Sequence, residues 1–127
     1  MEEFDETLND LSYQVIGAAM EVHRILGPGL LESVYQEALC IELEDRSIPY
    51  EQQKIVGIEY KGRAIGDMRA DVIVDKRIII ELKAVERILP VHQAQLLTYL
   101  KITKIRLGLL INFNTSILKN GIKRVVL

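Results

Sequence analysis

The stretch from residue 69 to residue 84, Arg69-Ala-Asp-Val-Ile-Val-Asp-Lys-Arg-Ile-Ile-Ile-Glu-Leu-Lys-Ala84, decides the fold. Three consecutive isoleucines followed by Glu-Leu-Lys indicate a strand that is covered on both faces. Asp71, Glu81 and Lys83 fall at one end of this predicted strand pair. A charge in such a place is unfavourable unless it is paired or bound to a metal ion. The stretch therefore predicts a buried β-hairpin whose charged end needs a functional explanation.

The turn of this hairpin determines which side chains meet. If residues 75–77 form a three-residue loop, counting back along both strands places Asp71 opposite Glu81. Because side chains alternate along a strand, Glu81 and Lys83 share one face, whereas Leu82 points into the core on the other. We expect two carboxylates and an ammonium group to converge at this end of the hairpin.

Two interpretations fit this convergence. Neighbouring carboxylates repel each other, and a divalent cation would remove the repulsion. Oxygen ligands suit Mg²⁺ or Mn²⁺ with several waters retained, whereas zinc prefers His and Cys. The alternative is an ordinary ion-pair network at a sheet edge, in which Lys83 neutralises Glu81 and Asp71 ends its strand. The hairpin alone leaves both interpretations open.

Composition places the chain among globular proteins. At 127 residues we expect a single domain, residues 1–127, and the content of 49% hydrophobic and 27% charged residues is typical of a packed fold. No apolar run approaches the roughly 18 residues that span a bilayer, so we expect no membrane association. The acidic start at residues 1–6 lacks the features of a secretory signal, which predicts a cytoplasmic protein. Cys40 lies among apolar residues and is expected to be a small buried hydrophobe.

Charge is divided unevenly along the chain. Residues 1–50 contain 11 acidic and 2 basic side chains, a net charge of -9, whereas residues 51–127 contain 7 acidic and 14 basic side chains, a net charge of +7. A basic face on the second half would attract a polyanion such as nucleic acid. Equally, the two halves could neutralise each other within the fold.

Periodicity predicts the order of the secondary-structure elements. Apolar residues at three- and four-residue steps indicate two helices, ended by Gly27-Pro28-Gly29 and by residues near Asp45. A β-rich pattern then begins after Pro49 and turns at Lys61-Gly62. The predicted elements are helices at about 6–26, 30–45 and 91–102, a three-stranded meander ending at Lys83, and strands at 106–113 and 122–126. This order, ααβββαββ, predicts an α/β (α+β) fold with a mixed central sheet flanked by helices.

Several ordered segments resemble a known family. They are Gly29-x-x-Glu32-x-x-Tyr35, Arg69-Ala-Asp71, Ile80-Glu-Leu-Lys-Ala84, His92-x-x-Gln95-x-x-x-Tyr99-Leu100 and Gly108-Leu-Leu-Ile-Asn-Phe113. Together they resemble the PD-(D/E)XK nuclease superfamily and, more narrowly, the bacterial GxxExxY family within it. The resemblance covers roughly residues 15–125 and implies a restriction-endonuclease-like core. One departure is that Ala70 stands where the superfamily's name expects a proline.

The resemblance implies a role for each polar residue of the hairpin. Asp71 and Glu81 would be metal ligands, with the backbone carbonyl of Leu82 as a third oxygen. A bound Mg²⁺ would activate a water and polarise a scissile phosphate. Lys83 would orient that water or stabilise the charge that develops on the phosphate.

The resemblance also assigns polar residues on two helices to the site. Glu32 would reach the metal through a water or a second cation, although an acid in the first turn of a helix is favourable without any such role. Gln95 would border the site and contact substrate or water, although it could simply be a helix-contact residue. His92 is more simply a first-turn residue of its helix. Tyr35 and Tyr99 are expected to be core aromatics with satisfied hydroxyl groups.

The expected function is a Mg²⁺-dependent nuclease that hydrolyses phosphodiester bonds of nucleic acid, with DNA as the expected substrate. The alternative is a non-catalytic binding module that keeps the nuclease fold. A purely structural interaction protein, the least favoured interpretation, would make these polar residues incidental. A homodimer could form through the long apolar first helix, whose stripe could equally pack on its own sheet.

Overall fold

The computed structural model describes residues 6–127 and contains the predicted order of elements, ααβββαββ. Residues 1–5, which carry most of the acidic start, lie outside this range. The elements are α1 (Glu6–Leu26), α2 (Glu32–Asp45), β1 (Tyr50–Tyr60), β2 (Arg63–Val74), β3 (Ile78–Lys83), α3 (Pro90–Thr103), β4 (Leu107–Asn112) and β5 (Ile122–Val126). A short 3-10 helix, Leu118–Gly121, precedes β5.

The five strands form one mixed sheet in the order β1-β2-β3-β4-β5. All neighbours are antiparallel except β3 and β4, which run parallel because α3 crosses over between them. The predicted α+β fold with a mixed sheet is therefore confirmed. The parallel pair brings the end of β3, where the charged residues lie, beside the end of β4 at Asn112.

Helices cover both faces of the sheet, which explains the unbroken apolar run of β3. Ile78, Ile80 and Leu82 pack against the core formed with α1 and α2, whereas Ile79 packs with Leu96 and Leu100 of α3. Gly108 allows α3 to lie close to the sheet, because a Cβ atom there would be 2.9 Å from the side chain of Leu96. Glu81 and Lys83 are thus on the α3 side, as the alternation predicts.

The apolar stripe of α1 packs within its own fold. Val15, Ala18 and Ala19 are fully buried, and Leu8 and Val22 are nearly so. They belong to the same core as the buried residues of α2 and the sheet. Of the two partners considered for this stripe, it is the chain's own fold that covers it, so these residues do not support the possible homodimer.

The β1–β2 hairpin extends well beyond the rest of the sheet. β1 and β2 share ten register pairs, with a bulge between Ile58 and Glu59, whereas β2 and β3 share three. Most side chains between residues 54 and 69, which we call the hairpin arm, are exposed on both strands. Gly66, which pairs with Ile58, lies beside this bulge.

Two further expectations concern Cys40 and membrane-spanning helices. Cys40 is 3% exposed, and burial raises the pKa of its thiol to about 11, so it behaves as a buried hydrophobe. Within residues 6–127, no helix has the length and apolar character needed to cross a bilayer.

Candidate metal centre

Asp71 and Glu81 meet where the β2–β3 ladder ends. The last register pair is Val72 with Ile80, and the next residues along the two strands are the two acids. Each carboxylate accepts a hydrogen bond from the opposite strand. Glu81 Oε2 accepts from the amide of Asp71 at 3.0 Å, and Asp71 Oδ2 accepts from the amide of Leu82 at 2.9 Å. The two acids therefore replace the missing ladder bonds, and each keeps one oxygen that is free of backbone contacts.

The backbone carbonyl of Leu82 is directed toward the same place. In a strand, the N–H and C=O of one residue point to the same side. The amide of Leu82 points toward Asp71 on the β2 side, whereas the carbonyl of Lys83 points to the β4 side and accepts from Phe113 at 2.9 Å. The carbonyl of Leu82 therefore lies on the side of the two carboxylates.

Burial makes the pair of acids electrostatically unusual. Glu81 is 6% exposed, and Asp71 is half-buried. Burial, followed by the negative charge of Asp71, raises the pKa of Glu81 to about 8. Burial likewise raises the pKa of Asp71, against the opposing effect of the hydrogen bond from Leu82. The structure thus holds two carboxyl groups together in a place where both cannot easily be charged.

Lys83 is half-buried on the same face as Glu81, as predicted, but it does not neutralise either acid by contact. Its charge lowers the pKa of both Asp71 and Glu81, yet these effects are outweighed. Between residues of the range 6–127, no ion pair within 4.0 Å includes Lys83. The direct Lys83–Glu81 ion pair of the alternative interpretation is therefore not formed.

Glu32 is the first residue of α2 and is exposed. Its negative charge contributes to the raised pKa of both Asp71 and Glu81. Glu32 is therefore within electrostatic reach of the acid pair, but within residues 6–127 it does not complete a three-carboxylate metal cluster with them.

Tyr35 explains why the Gly-x-x-Glu-x-x-Tyr segment places Glu32 where it does. The Tyr35 hydroxyl donates to the carbonyl of Gly27 at 2.6 Å and accepts from the amide of Leu30 at 3.1 Å. Its ring is fully buried and stacks on Phe113 at a centroid distance of 4.6 Å. Tyr35 is a core aromatic with a satisfied hydroxyl, as expected, and it fixes the loop that leads into α2.

Gln95 and Tyr99 form the rim of the site on α3. Gln95 is exposed and donates to the Tyr99 hydroxyl at 3.1 Å across one helical turn. Burial raises the pKa of Tyr99, and so do the negative charges of Glu81 and Asp71. Tyr99 packs against the core beneath α3 and its hydroxyl is satisfied by Gln95, as expected for a core aromatic. The sequence pattern did not reveal that it also lies within electrostatic reach of the acid pair.

His92 belongs to the start of α3. Its Nδ1 accepts the backbone amide of Leu89 at 3.0 Å, which caps the helix. His92 is therefore a first-turn residue of α3, which is the simpler of the two expectations for it.

Two glutamines and an asparagine support the site and were not predicted. Gln53 donates to Gln36 at 2.8 Å and to Asp71 Oδ1 at 3.5 Å. Asn112, only 2% exposed, binds both the amide and the carbonyl of Val85 through its side chain, at 3.1 and 2.9 Å. Asn112 thereby fixes the chain just after Lys83. The spacing of Gln36 four residues after Glu32, on the same face of α2, was the one available sequence signal.

The donor set, made of oxygen atoms, suits a hard cation. No cluster of three or more His, Cys, Asp or Glu side chains suited to a metal occurs within residues 6–127. What the site offers is two carboxylate oxygens and the carbonyl of Leu82, with further positions for water. Mg²⁺ and Mn²⁺ are bound in this way, through few protein oxygens and retained waters.

Comparisons with known proteins identify the family of this chain. The crystal structure of SSO0001 is similar, with a TM-score of 0.51 and 25% sequence identity. The match covers 72% of this chain and 46% of SSO0001, so the chain spans about half the length of that protein. No protein of curated function matches the sequence. The family model of the PD-(D/E)XK nuclease superfamily matches residues 9–125. The chain therefore belongs to the PD-(D/E)XK nuclease superfamily.

Proposed function

We propose that this protein is a Mg²⁺- or Mn²⁺-dependent nuclease that hydrolyses phosphodiester bonds of nucleic acid, with DNA as the expected substrate. The observation that carries the proposal is the Asp71–Glu81 pair, which is held by reciprocal backbone hydrogen bonds and forms no ion pair with a cation of residues 6–127. Nucleases of this superfamily generally use divalent metals. We further propose that residues 1–127 act as one domain of the GxxExxY branch.

The metal would be held by Asp71, Glu81 and the carbonyl of Leu82. When bound there, Mg²⁺ supplies Lewis-acid polarisation of the scissile phosphate and lowers the pKa of a coordinated water. With a cation bound, Asp71 and Glu81 could both be deprotonated, because its charge would offset the burial and the repulsion by Asp71 that raise the pKa of Glu81.

Lys83 would place a compact positive charge beside the reacting phosphate. Lys83 is half-buried, shares a face with Glu81 and forms no direct ion pair within residues 6–127. Its ammonium group can therefore contact a substrate oxygen. The developing negative charge of the transition state would then be stabilised by a group that is already in place.

Glu32 and Gln95 would act at the edges of the site. Glu32 is exposed at the start of α2 and electrostatically coupled to both acids, which suits a carboxylate that holds a metal-bound water. Gln95 is exposed beside Tyr99 and can donate to or accept from a substrate phosphate or water.

The hairpin arm would provide part of the nucleic-acid surface. It joins the site directly, because Arg69 is two residues from Asp71 and pairs with Ile55 across the arm. Its exposed cations are Lys54, Lys61, Arg63 and Arg69, and its acids are Glu59 and Asp67. A two-stranded ribbon with an excess of cations can lie along a phosphate backbone or in the major groove of a duplex.

Cleavage of defined substrates tests the proposal. Single-stranded, duplex, flapped and branched DNA and RNA are incubated with Mg²⁺ or Mn²⁺ and either the wild type or Lys83→Ala. We expect metal-dependent cleavage by the wild type and a loss of about 100-fold or more in Lys83→Ala, the range found when one transition-state donor is removed. If the wild type cuts none of them but binds some with salt-dependent affinity, the non-catalytic binding module becomes the better description.

A further inference from the structure

Gln53 has a backbone conformation that is unusual for its position. Among non-glycine residues in the described part of the chain, six have a positive φ. Five of them, Ser47, Lys61, Asp75, Lys76 and Lys104, lie in turns or at helix ends, where this conformation is common. Gln53, with a φ of 54°, lies inside strand β1. A strained residue within a strand persists only where the surrounding structure requires it.

The strained residue lies directly opposite Asp71. Gln52 pairs with Val72 and Lys54 pairs with Ala70, so Gln53 and Asp71 occupy the position between them, where no ladder pair is formed. The side chains of β2 also stop alternating between the two faces of the sheet at this point. Ala70 belongs to the core beneath α3, whereas Val72 belongs to the core beneath α1 and α2, although the two are separated by a single residue. The interruption therefore frees Asp71 from regular strand geometry.

The side chain of Gln53 completes this arrangement. Its Nε2 donates to Oε1 of Gln36 at 2.8 Å and approaches Asp71 Oδ1 at 3.5 Å. Gln36 is 9% exposed and lies on α2, one turn beyond Glu32. Gln53 thus connects α2 to the oxygen of Asp71 that makes no backbone hydrogen bond.

We propose that Gln53 is a positioning residue of the metal centre, which acts by setting the orientation of the Asp71 carboxylate. This inference rests on the proposed function, since it assigns Gln53 a purpose only if Asp71 binds a cation. The left-handed backbone removes Asp71 from the β1 ladder, and the side-chain amide, anchored by Gln36, holds Asp71 Oδ1. Hydrogen bonds to a ligand carboxylate orient it for the metal, and their loss commonly lowers metal affinity 10- to 100-fold.

Gln53→Gly separates the two contributions of the residue. Glycine adopts a positive φ without strain, so the backbone can stay as it is while the amide is lost. The matched control is Gln52→Ala, because Gln52 is the exposed neighbour and its Nε2 donates to Glu37 at 3.0 Å, away from the site. The measurements are the Mn²⁺ dissociation constant, by calorimetry, and the melting temperature of the metal-free protein.

We expect Gln53→Gly to weaken Mn²⁺ binding by about 10-fold or more with little change in metal-free melting temperature, and Gln52→Ala to change neither. Wild-type Mn²⁺ affinity in Gln53→Gly would overturn the proposal, because a purely structural Gln53 would alter melting without altering affinity. If Gln53→Gly does not fold, Gln36→Leu removes the anchor instead and is expected to weaken binding several-fold, whereas unchanged binding overturns the proposal. Absence of Mn²⁺ binding by the wild type would refute the metal centre itself, and the role of Gln53 with it.

Discussion

The two ends of the β2–β3 strand pair have opposite characters, although they are only a few residues apart. Toward the turn, Val72 and Val74 pair with Ile80 and Ile78 in a regular ladder, and all four are fully buried. Beyond the last pair, the ladder stops and two acids, one buried and one half-buried, accept the backbone amides in its place. The end near the turn stabilises the fold through apolar burial, whereas the end at Asp71 and Glu81 keeps charged groups that reduce stability.

This difference shows how the fold can hold an unfavourable pair of acids. The apolar end fixes the register, and the register places Asp71 opposite Glu81 whatever the preference of their side chains. The buried apolar residues of β3 therefore stabilise the hairpin enough to offset the repulsion between Asp71 and Glu81. Substitutions at the two ends should consequently have opposite effects on the stability of the metal-free protein.

The largest effect is expected at the apolar end. Ile80 is fully buried beneath α1 and α2, so Ile80→Ala removes packed methyl groups and leaves a cavity. We expect the free energy of unfolding to fall by about 2–5 kcal/mol in urea denaturation. Ile55→Ala is the matched control, since Ile55 is 57% exposed on the hairpin arm, and it should change stability by less than about 0.5 kcal/mol. Equal losses in both variants would contradict the assignment of the core.

The acid end should make metal-free stability fall as pH rises. A carboxyl group like Glu81 releases its proton near pH 4.5 in the unfolded chain, but burial and Asp71 raise the pKa of Glu81 to about 8 in the fold. Between these values the folded state binds the extra proton. The associated stability is present at low pH and is lost as pH rises through this range, with a slope of up to about 1.4 kcal/mol per pH unit.

Glu81→Gln is the variant that isolates this effect. A glutamine can still accept the amide of Asp71 but carries no charge, so urea denaturation across the same pH range should show a flatter profile. Near pH 8 the metal-free variant should be more stable than the wild type. A wild-type profile that rises through this range would show that Glu81 is charged and stabilised in the metal-free fold.

A smaller effect is expected where the fold positions Glu32. Tyr35→Phe keeps the ring that stacks on Phe113 but leaves the carbonyl of Gly27 and the amide of Leu30 without their partner. We expect a loss of about 1–3 kcal/mol in the free energy of unfolding. Tyr13→Phe serves as the control, since Tyr13 is 75% exposed. Identical stability of Tyr35→Phe and the wild type would mean that the loop is held by other contacts.

The sequence predicted the order of the elements and the meeting of Asp71 with Glu81 because both follow from periodicity and from the length of one turn. A three-residue loop at residues 75–77 and the alternation of side chains along each strand were sufficient to fix the register of β2 and β3. Glu32 and Gln95 came from the family resemblance; in the structure Glu32 acts electrostatically on both acids, and Gln95 donates to Tyr99. Their catalytic roles stay predictions.

Other parts of the site could not be predicted, for physical reasons. A left-handed backbone inside a strand is set by tertiary contacts, and a glutamine at position 53 gives no local signal of it. The orientation of Tyr99 toward Glu81 depends on how α3 crosses the sheet, which its own periodicity does not determine. The sequence of α1 does not tell whether its apolar stripe packs on its own sheet or on a second copy of the chain. In the structure the stripe belongs to the same core as the sheet.

Binding of Mn²⁺ by the wild type and by Asp71→Asn, near pH 8 where Glu81 can release its proton, tests the metal centre most directly. Asparagine retains the shape of Asp71 and an acceptor for the amide of Leu82, so the fold should be kept while the charged ligand is lost. We expect the wild type to bind Mn²⁺ with release of protons, and its melting temperature to rise by roughly 10 °C at a metal concentration of about 100 times Kd. Asp71→Asn should show neither effect. Equal binding by the two proteins, or no binding by either, would contradict a metal centre at Asp71 and Glu81.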